Sequence, residues 1–405
     1  MKKTYIKTYL LFSFLLFFIL FFTFNSNCYS YAENNDNTAN QNEINEEIVE
    51  NEVDKQLEDF DFSSLDDIIK NLIKEQYEIF NSKSFIEKIK SIISGDFDRD
   101  KNIFIIILDI FFNTIKNLMP LISVIISVSI LGSMINGLKS RNNKSINNVI
   151  FFITYTIVAT LIISILARMI HLTSNTIQNI KSQMDAIFPI LLTMLTAVGG
   201  SISASIYQPA MALFVNIIMN LFTYVLLPIF IFSVVFNIIS NLSNTIKLEK
   251  FSSFLNSSYK WIIGLIFTIF TSFISIQGIT AGSLDGISIK TAKFAMKSYI
   301  PILGSYLSDG MGVILVSSNL IKNAVGASGL LLLLATIISP LIELILLMLA
   351  LKFIAGIVEP LGNKQVSNLA YSLSKSITLL IALIVGIAFS YFIILGLVMC
   401  SANLI

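Results

Sequence analysis

The stretch that decides the fold runs from Met184 to Phe214 and reads MDAIFPILLTMLTAVGGSISASIYQPAMALF. It is apolar enough to enter a bilayer, yet Pro189, the pair Gly199-Gly200 and the dipeptide Gln208-Pro209 interrupt it where an ordinary spanning helix has none. A helix broken at membrane depth exposes backbone groups that lipid cannot satisfy, so such a segment must be packed in protein or line a wet cavity. The stretch therefore predicts either a functional break, as in transport sites, or a plain connection whose small residues allow close packing.

Composition places the whole chain in the membrane class. Of its 405 residues 55% are hydrophobic and 13% are charged, whereas soluble domains carry about 25% charged residues. The apolar residues lie in long runs, which predicts an all-α polytopic membrane protein with about six to nine membrane helices, including broken or re-entrant segments. The sequence has no basic cluster interleaved with aromatic residues, so the lipid bilayer is an expected partner and nucleic acid is not.

Residues 1–32 have the order of a secretory signal peptide. A lysine-rich start precedes an apolar core over residues 10–24, and a small-x-small pattern follows at residues 30–32. The core is 15 residues long, which is short for a membrane span. An uncleaved anchor helix is the alternative. In both cases the residues that follow are delivered across the membrane.

Residues 33–100 form an acidic outer region with 19 acidic and 7 basic side chains. Residues 33–63 have no sustained apolar period and are expected to be an acidic disordered linker. Residues 64–100 carry apolar side chains at three- and four-residue spacing, which predicts extracytoplasmic amphipathic helices. Their apolar stripe has three alternative partners, the membrane surface, the transmembrane body or another protein, and the acidic surroundings favour protein over anionic lipid. Residues 101–405 are then the polytopic transmembrane domain.

The transmembrane domain contains apolar runs that are interpreted as spans by their length. They lie near residues 104–119, 120–138, 149–170, 187–203, 210–240, 261–279, 324–339, 340–358 and 376–399. The first two runs have one long kinked helix as their alternative. Positive charge in short loops favours a full crossing of the membrane by residues 187–203 over a segment that dips in and returns, and the orientation of residues 187–260 depends on this choice.

The opening stretch has a related segment 112 residues later in the chain. The pattern Met-x-x-x-x-Pro-Ile-Leu occurs around Pro189 and again around Pro301, and glycines follow both copies, at Gly199-Gly200 and at Gly310. Paired broken segments at corresponding positions mark the substrate path in transporters that are built from repeats. The repeat therefore predicts a second helix break near Gly310.

The residue types that carry enzymatic chemistry are sparse. His171 is the only histidine, and no GxSxG elbow, phosphate-binding loop or HExxH pair occurs. We therefore expect no enzymatic activity, cofactor or metal. Glu343 and Lys352 lie deep in apolar runs, and because charge is costly there, each is expected to find a partner on another helix. Arg168 lies near the end of a predicted span and is expected to extend its guanidinium towards the membrane surface.

Eight residues are candidates for lining a pathway, and packing or helix capping is the alternative role for each of them. They are Pro189, Gly199, Gly200, Gln208, Pro301, Asp309, Gly310 and Glu343. The first four belong to the opening stretch, the next three belong to its repeat, and the last lies in a later apolar run.

Three long segments together resemble the stage III sporulation protein AE family of endospore-forming bacteria. They read FPILLTMLTAVGGSISASIYQPAMALF from Phe188, DGISIKTAKFAMKSYIPILGSYLSDGMGVILVSSNLIKNAVG from Asp285, and ISPLIELILLMLALKFIAGIVEPLGNKQVSNLAYSLSKS from Ile338. The resemblance covers the membrane body from about Asn102 to the C-terminus. The signal peptide and the acidic outer region fit the same layout.

The resemblance implies a non-enzymatic, multi-pass subunit of a channel or secretion complex, located in the mother-cell membrane that surrounds the engulfed forespore. Its implied partners are other stage III sporulation membrane proteins and their ATPase, and indirectly a forespore-side channel protein. Two alternatives remain open. One is a secondary transporter that works alone and is driven by ions through Asp309 or Glu343, and the other is a membrane scaffold for ring-forming sporulation proteins.

Overall fold

The computed structural model describes residues 39–74, 84–94, 103–138, 144–242, 248–299 and 304–401. The predicted signal peptide and Pro301 lie outside these ranges. The chain divides into two compact units, residues 1–48 and residues 49–405. Of the first unit, the described part is the beginning of helix α1. The second unit holds all the elements that follow.

Every regular element in the described ranges is a helix. In chain order they are α1 (Ala39–Glu58), α2 (Ser63–Lys74), α3 (Phe85–Ile93), α4 (Ile103–Leu138), α5 (Lys144–Ala197), α6 (Ser201–Leu213), α7 (Met219–Leu221), α8 (Leu227–Leu242), α9 (Glu249–Tyr299), α10 (Gly304–Val358) and α11 (Lys364–Cys400). Two π-helical turns, Phe214–Ile218 and Phe222–Leu226, flank α7. The helical backbone therefore continues from α6 to the end of α8.

Within the described part of the chain, five helical segments are long and apolar enough to cross a membrane. They are Ile105–Ile135, Phe152–Ala197, Val215–Asn241, Val313–Val358 and Lys364–Cys400. The prediction of an all-α polytopic membrane protein is thus confirmed. Nine predicted spans correspond to fewer segments because α4 and α10 each contain two of them and α5 contains one and most of another. The predicted span 261–279 lies in α9, which is not among the five.

Proline does not interrupt these helices. Pro120, Pro189, Pro209 and Pro340 all lie inside continuous helices. Proline removes one N–H donor and crowds the preceding turn, but in a membrane helix neighbouring groups can satisfy the freed carbonyl. The predicted interruptions at Pro189 and at Gln208-Pro209 are therefore wrong.

Glycine also fails to interrupt α10. Gly310 lies inside this helix, so the predicted second break is not present there. A glycine costs about 1 kcal/mol relative to alanine in a helix interior, and tertiary packing routinely outweighs such a propensity. Gly199-Gly200 is the one predicted interruption of the opening stretch that does end a helix.

Helix α1 lies within the segment that was expected to be a disordered linker. Its buried residues explain the difference: Val53 and Leu57, four positions apart, are both almost fully buried. Gln56 adds two hydrogen bonds, one donated by its Nε2 to Glu52 Oε1 at 2.9 Å and one accepted by its Oε1 from Ser318 Oγ of α10 at 3.0 Å. Tertiary contacts thus stabilise a helix in a sequence of low average hydrophobicity.

The amphipathic helices α2 and α3 dock on the transmembrane body. Leu65 and Ile69 of α2 and Phe85 and Ile89 of α3 are fully buried. Helix α2 packs on α5, and α3 packs on α10. The N–H of Phe85 donates to Asp66 Oδ1 at 2.7 Å, which fixes the two helices to each other. Of the three alternative partners for this stripe, the structure selects the chain's own membrane helices.

The centre of the body is the antiparallel hairpin of α10 and α11. It turns at Gly362, whose φ of 84° lies in the left-handed region that favours glycine. Ser367 Oγ donates to Ala355 O at 2.9 Å near the turn, and Lys322 Nζ donates to Ser401 O at 2.5 Å at the far end. Helix α10 also packs on α4 and α5, so it lies at the core of the bundle.

Candidate functional site on helix α5

A tight turn at Gly199-Gly200 separates α5 from α6. Gly199 has a φ of 91°, its N–H donates to Thr196 O at 2.9 Å, and the N–H of Gly200 donates to Leu195 O at 2.9 Å. These two bonds form a Schellman motif, which satisfies the last carbonyls of a helix. Gly200 O then accepts from the N–H of Ala204 at 2.8 Å, so the next helix begins immediately.

Each of the two glycines is favoured at its position for a different physical reason. Gly199 supplies the left-handed backbone, which costs other residues about 1–2 kcal/mol. A Cβ atom on Gly200 would lie 2.9 Å from the carbonyl oxygen of Leu195 and 2.7 Å from its Cδ1. The chain then returns along α5, since Tyr155 near the start of α5 donates a 2.8 Å hydrogen bond to Ile238 O in α8. Helices α5 to α8 are therefore a second long hairpin.

Helix α5 carries a polar face on its exposed side. Between Ser164 and Ala197 every exposed residue is polar, charged, alanine or proline. We call the polar members the polar face; they are Ser164, Arg168, His171, Asn175, Gln178, Asn179, Asp185, Thr193 and Thr196. The exposed positions Ser201, Ser205 and Gln208 continue this polarity past the turn into α6. Lipid tails cannot satisfy such a surface, so it faces water or protein.

The contacts between helices give the depth of this face. In the hairpin of α10 and α11, the pairs Ala355 with Ser367 and Lys322 with Ser401 set the register. That register brings Thr336 level with about residue 387 of α11, near the middle of its uncharged apolar run at 376–399. Gln183 of α5 is hydrogen-bonded to Thr336 and shares that level. The middle of the polar face is therefore level with the middle of that apolar run.

A cleft opens from the polar face between α5 and α10. Its volume is about 310 Å³, and its polar lining comes from both helices: Arg168, Asn175 and Asn179 of α5, and Thr336, Ser339 and Glu343 of α10. A guanidinium nitrogen of Arg168 lies 3.5 Å from Glu343 Oε2. The arginine side chain is 67% exposed and the glutamate side chain 15% exposed. The cleft thus holds one ion pair within a wall of neutral polar groups.

Two acceptor oxygens lie beside this wall. Gln183, fully buried, donates from Nε2 to Thr336 Oγ1 at 2.6 Å, and the hydroxyl of Thr336 donates to Leu332 O at 2.9 Å. Gln183 Oε1 has no hydrogen-bond partner among the described residues. Pro340 has no N–H, so the carbonyl of Thr336 lacks its usual helical donor. Gln183 Oε1 is thus a buried acceptor that the hydrogen bonds of the described residues leave unsatisfied.

Of the candidate residues whose side chains the structure describes, Glu343 alone lines the cleft. Its ion-pair partner Arg168 lies on another helix, as expected for a deep charge. Pro189 and Gln208 are exposed on α5 and α6, outside the lining of the cleft, and Gly199 and Gly200 form the turn. Asp309 and Gly310 lie within α10, and Pro301 lies outside the described residues.

Sequence reasoning did not identify the α5 side of the cleft. Residues 171–186 lie between two predicted spans, where the sequence predicts a connection, and Arg168 lies at a predicted span end. The available signal is the seven- and four-residue spacing of Arg168, Asn175 and Asn179, which places them on one face of a helix. In the described ranges, no three His, Cys, Asp or Glu side chains lie close enough to hold a metal ion. The groups present suit reversible binding of a polar solute.

Comparison with known proteins places this chain in a family. The family model for stage III sporulation protein AE matches residues 80–402. The stage III sporulation protein AE of Bacillus subtilis (strain 168) is 28% identical to this chain over 261 residues, which cover 64% of this chain and 65% of that protein. The match thus spans slightly less than two thirds of the relative's length. No solved structure matches. Residues 80–402, which the family model matches, include the polar face and the whole cleft.

Proposed function

The chain belongs to the stage III sporulation protein AE family, and on that premise we propose that it is a non-enzymatic membrane subunit of a channel or secretion complex between mother cell and forespore. In this proposal the protein resides in the mother-cell membrane that surrounds the forespore. It is required there for forespore development after engulfment. Its partners are other stage III sporulation membrane proteins, their ATPase and, indirectly, a channel protein on the forespore side.

The observation that supports a conduit is the polar face of α5. A chain that only anchored other proteins in lipid would have no need for Arg168, Asn175 and Asn179 on the exposed side of a membrane helix. Water in a passage satisfies such groups, and so does a protein wall with matching donors and acceptors. The face continues into the first turns of α6, so it has the length of a membrane crossing.

The experiment replaces the polar face with a lipid-like one. Asn175→Leu combined with Asn179→Leu should stop forespore development after engulfment while vegetative growth and protein level stay normal. Ser123→Leu combined with Ser127→Leu on the exposed side of α4 is the matched control. Spore counts and membrane immunoblots measure both. Normal sporulation of the α5 double variant would contradict the conduit and leave a scaffold as the function.

A second candidate is an ion-coupled transporter that works alone, and the ion pair in the cleft favours it. The two functions differ in their need for partners. A subunit of a complex should co-purify with other stage III proteins from sporulating cells, and the purified chain should be inert in proteoliposomes. Solute uptake that is driven by an ion gradient in proteoliposomes of the purified chain would favour the lone transporter.

A further inference from the structure

We propose that the cleft between α5 and α10 binds a small zwitterion, a free α-amino acid, with the carboxylate on Arg168 and the ammonium on Glu343. The inference rests on the proposed function, because it names the class of solute that the polar face would serve. It concerns a binding event in this chain alone, so it can be tested without the other members of the complex.

The ion pair itself selects a neutral, dipolar ligand. The contact of 3.5 Å between Arg168 and Glu343 is longer than the roughly 2.7–2.9 Å of a charge-assisted hydrogen bond. A ligand that carries both charges can bind both partners at once and leave no charge unopposed. A simple anion would bring its charge against Glu343, and a simple cation would bring its charge against Arg168. Unopposed charge is costly at membrane depth.

Volume and lining also fit this class. The cleft measures about 310 Å³, at the lower end of the roughly 300–1,000 Å³ of ligand pockets. Asn175, Asn179 and Ser339 supply neutral donors and acceptors around the ion pair.

Other ligand classes fit less well. A divalent metal ion would find one carboxylate in the lining, and a phosphate dianion would meet the charge of Glu343. Zwitterionic lipid headgroups share the required charges, and the binding test separates them from a free solute by leaving phospholipid out.

The test measures binding of radiolabelled glycine, L-alanine and L-glutamine to the full-length chain, purified in detergent without added phospholipid. We expect saturable binding of at least one of these three. N-acetyl-alanine carries only the negative charge and alanine methyl ester only the positive charge, so each should compete at least tenfold more weakly than alanine. These comparisons use the wild-type protein and do not depend on the folding of a variant.

Variants then test whether the amino acid binds in the cleft. Arg168→Gln and Glu343→Gln should each weaken binding at least tenfold, whereas Lys352→Gln, an exposed position of α10 outside the cleft, should leave it unchanged. Absence of saturable binding of all three amino acids at millimolar concentration would overturn the proposal. Equal competition by the singly charged analogues would also overturn it. Binding that disappears when lipid is removed and returns with phosphatidylethanolamine would assign the cleft to a headgroup and overturn the free-solute proposal.

The outcome is separate from that of the proposed function. Loss of co-purifying partners would leave an amino-acid site in place, and absence of binding in detergent would leave the membership in a sporulation complex untouched.

Discussion

Two membrane-length helices of this protein present opposite surfaces. Residues 119–135 of α4 expose large hydrophobic side chains, among them Met119, Val124 and Leu131. Residues 164–197 of α5 expose none of that kind. Both helices are apolar enough overall to cross a membrane. The mean hydropathy of a helix identifies it as a candidate span. The side chains on its exposed side determine whether that side contacts lipid, water or protein.

The physical basis of the difference is the position of the apolar residues. Helix α5 directs its large hydrophobic residues, such as Ile180, Ile187 and Leu191, into the protein, where they are buried. Its exposed side is left to polar groups. Helix α4 has the opposite distribution over residues 119–135, with lipid as the natural neighbour of its exposed side. We therefore infer that α4 lies at the periphery and that α5 borders a hydrated or protein-filled space.

The largest effect is expected from a charge placed on each surface. Val124→Arg on α4 should lower the amount of membrane-inserted protein, because a central arginine costs at least about 2.5–3.5 kcal/mol on insertion scales. Asn179→Arg on α5 should leave that amount near the wild-type level. Quantitative immunoblots of washed membranes measure both. An equal loss of membrane-inserted protein for both variants would contradict the inferred difference between the exposed surfaces of α4 and α5.

A smaller effect is expected at the turn that ends the polar face. Gly199→Ala should cost about 1–2 kcal/mol of stability because of the left-handed backbone. Gly200→Ala forces a Cβ atom against Leu195, so it should be destabilising as well. Gly356→Ala on α10 meets nothing within 4 Å and is the matched control. It should be neutral or raise the melting temperature, since alanine is the better helix former.

Melting temperatures of the detergent-solubilised protein report these three changes. If both Gly199→Ala and Gly200→Ala left the melting temperature unchanged, the left-handed turn would not be required for α5 to end at this position.

The smallest effect is expected on the buried side of α5. Gln183→Leu removes the hydrogen bond to Thr336, a loss of about 1 kcal/mol, and at the same time removes a buried oxygen without a partner. The melting temperature should therefore fall by less than for Gly200→Ala. Gln178→Leu, five residues earlier on the exposed side, is the control and should not change it. A larger fall for Gln178→Leu would mean that the exposed side of α5 is packed.

The sequence predicts the membrane class and the all-α fold well, because long apolar runs leave few alternatives. It also predicts the break at Gly199-Gly200, since two adjacent glycines after an apolar run match a helix end that needs left-handed backbone. The prediction of a helix break near Gly310 is wrong for a physical reason. Glycines in α10 also permit close packing, as at Gly326, where a Cβ atom would lie 2.5 Å from Met399 of α11.

The candidate site was predicted only in part. Glu343 is recognisable because a carboxylate in an apolar run needs a partner. Asn175 and Asn179 are not predicted because polar residues between two apolar runs have the same composition as a loop. Arg168 is predicted at a span end with its guanidinium towards the membrane surface, whereas in the structure it pairs with Glu343. Only the packing of α5 against α10 reveals that these residues continue one helix at membrane depth.

The central claim of the proposed conduit, that the polar face meets water where α4 meets lipid, is tested most directly by cysteine accessibility in native membranes. In a background with Cys28→Ser and Cys400→Ser, single cysteines are introduced as Asn179→Cys on α5 and Val124→Cys on α4. A charged, water-soluble thiol reagent should label the cysteine of Asn179→Cys within intact membranes and should label that of Val124→Cys only after detergent is added. Labelling of Val124→Cys but not of Asn179→Cys in intact membranes would contradict the account.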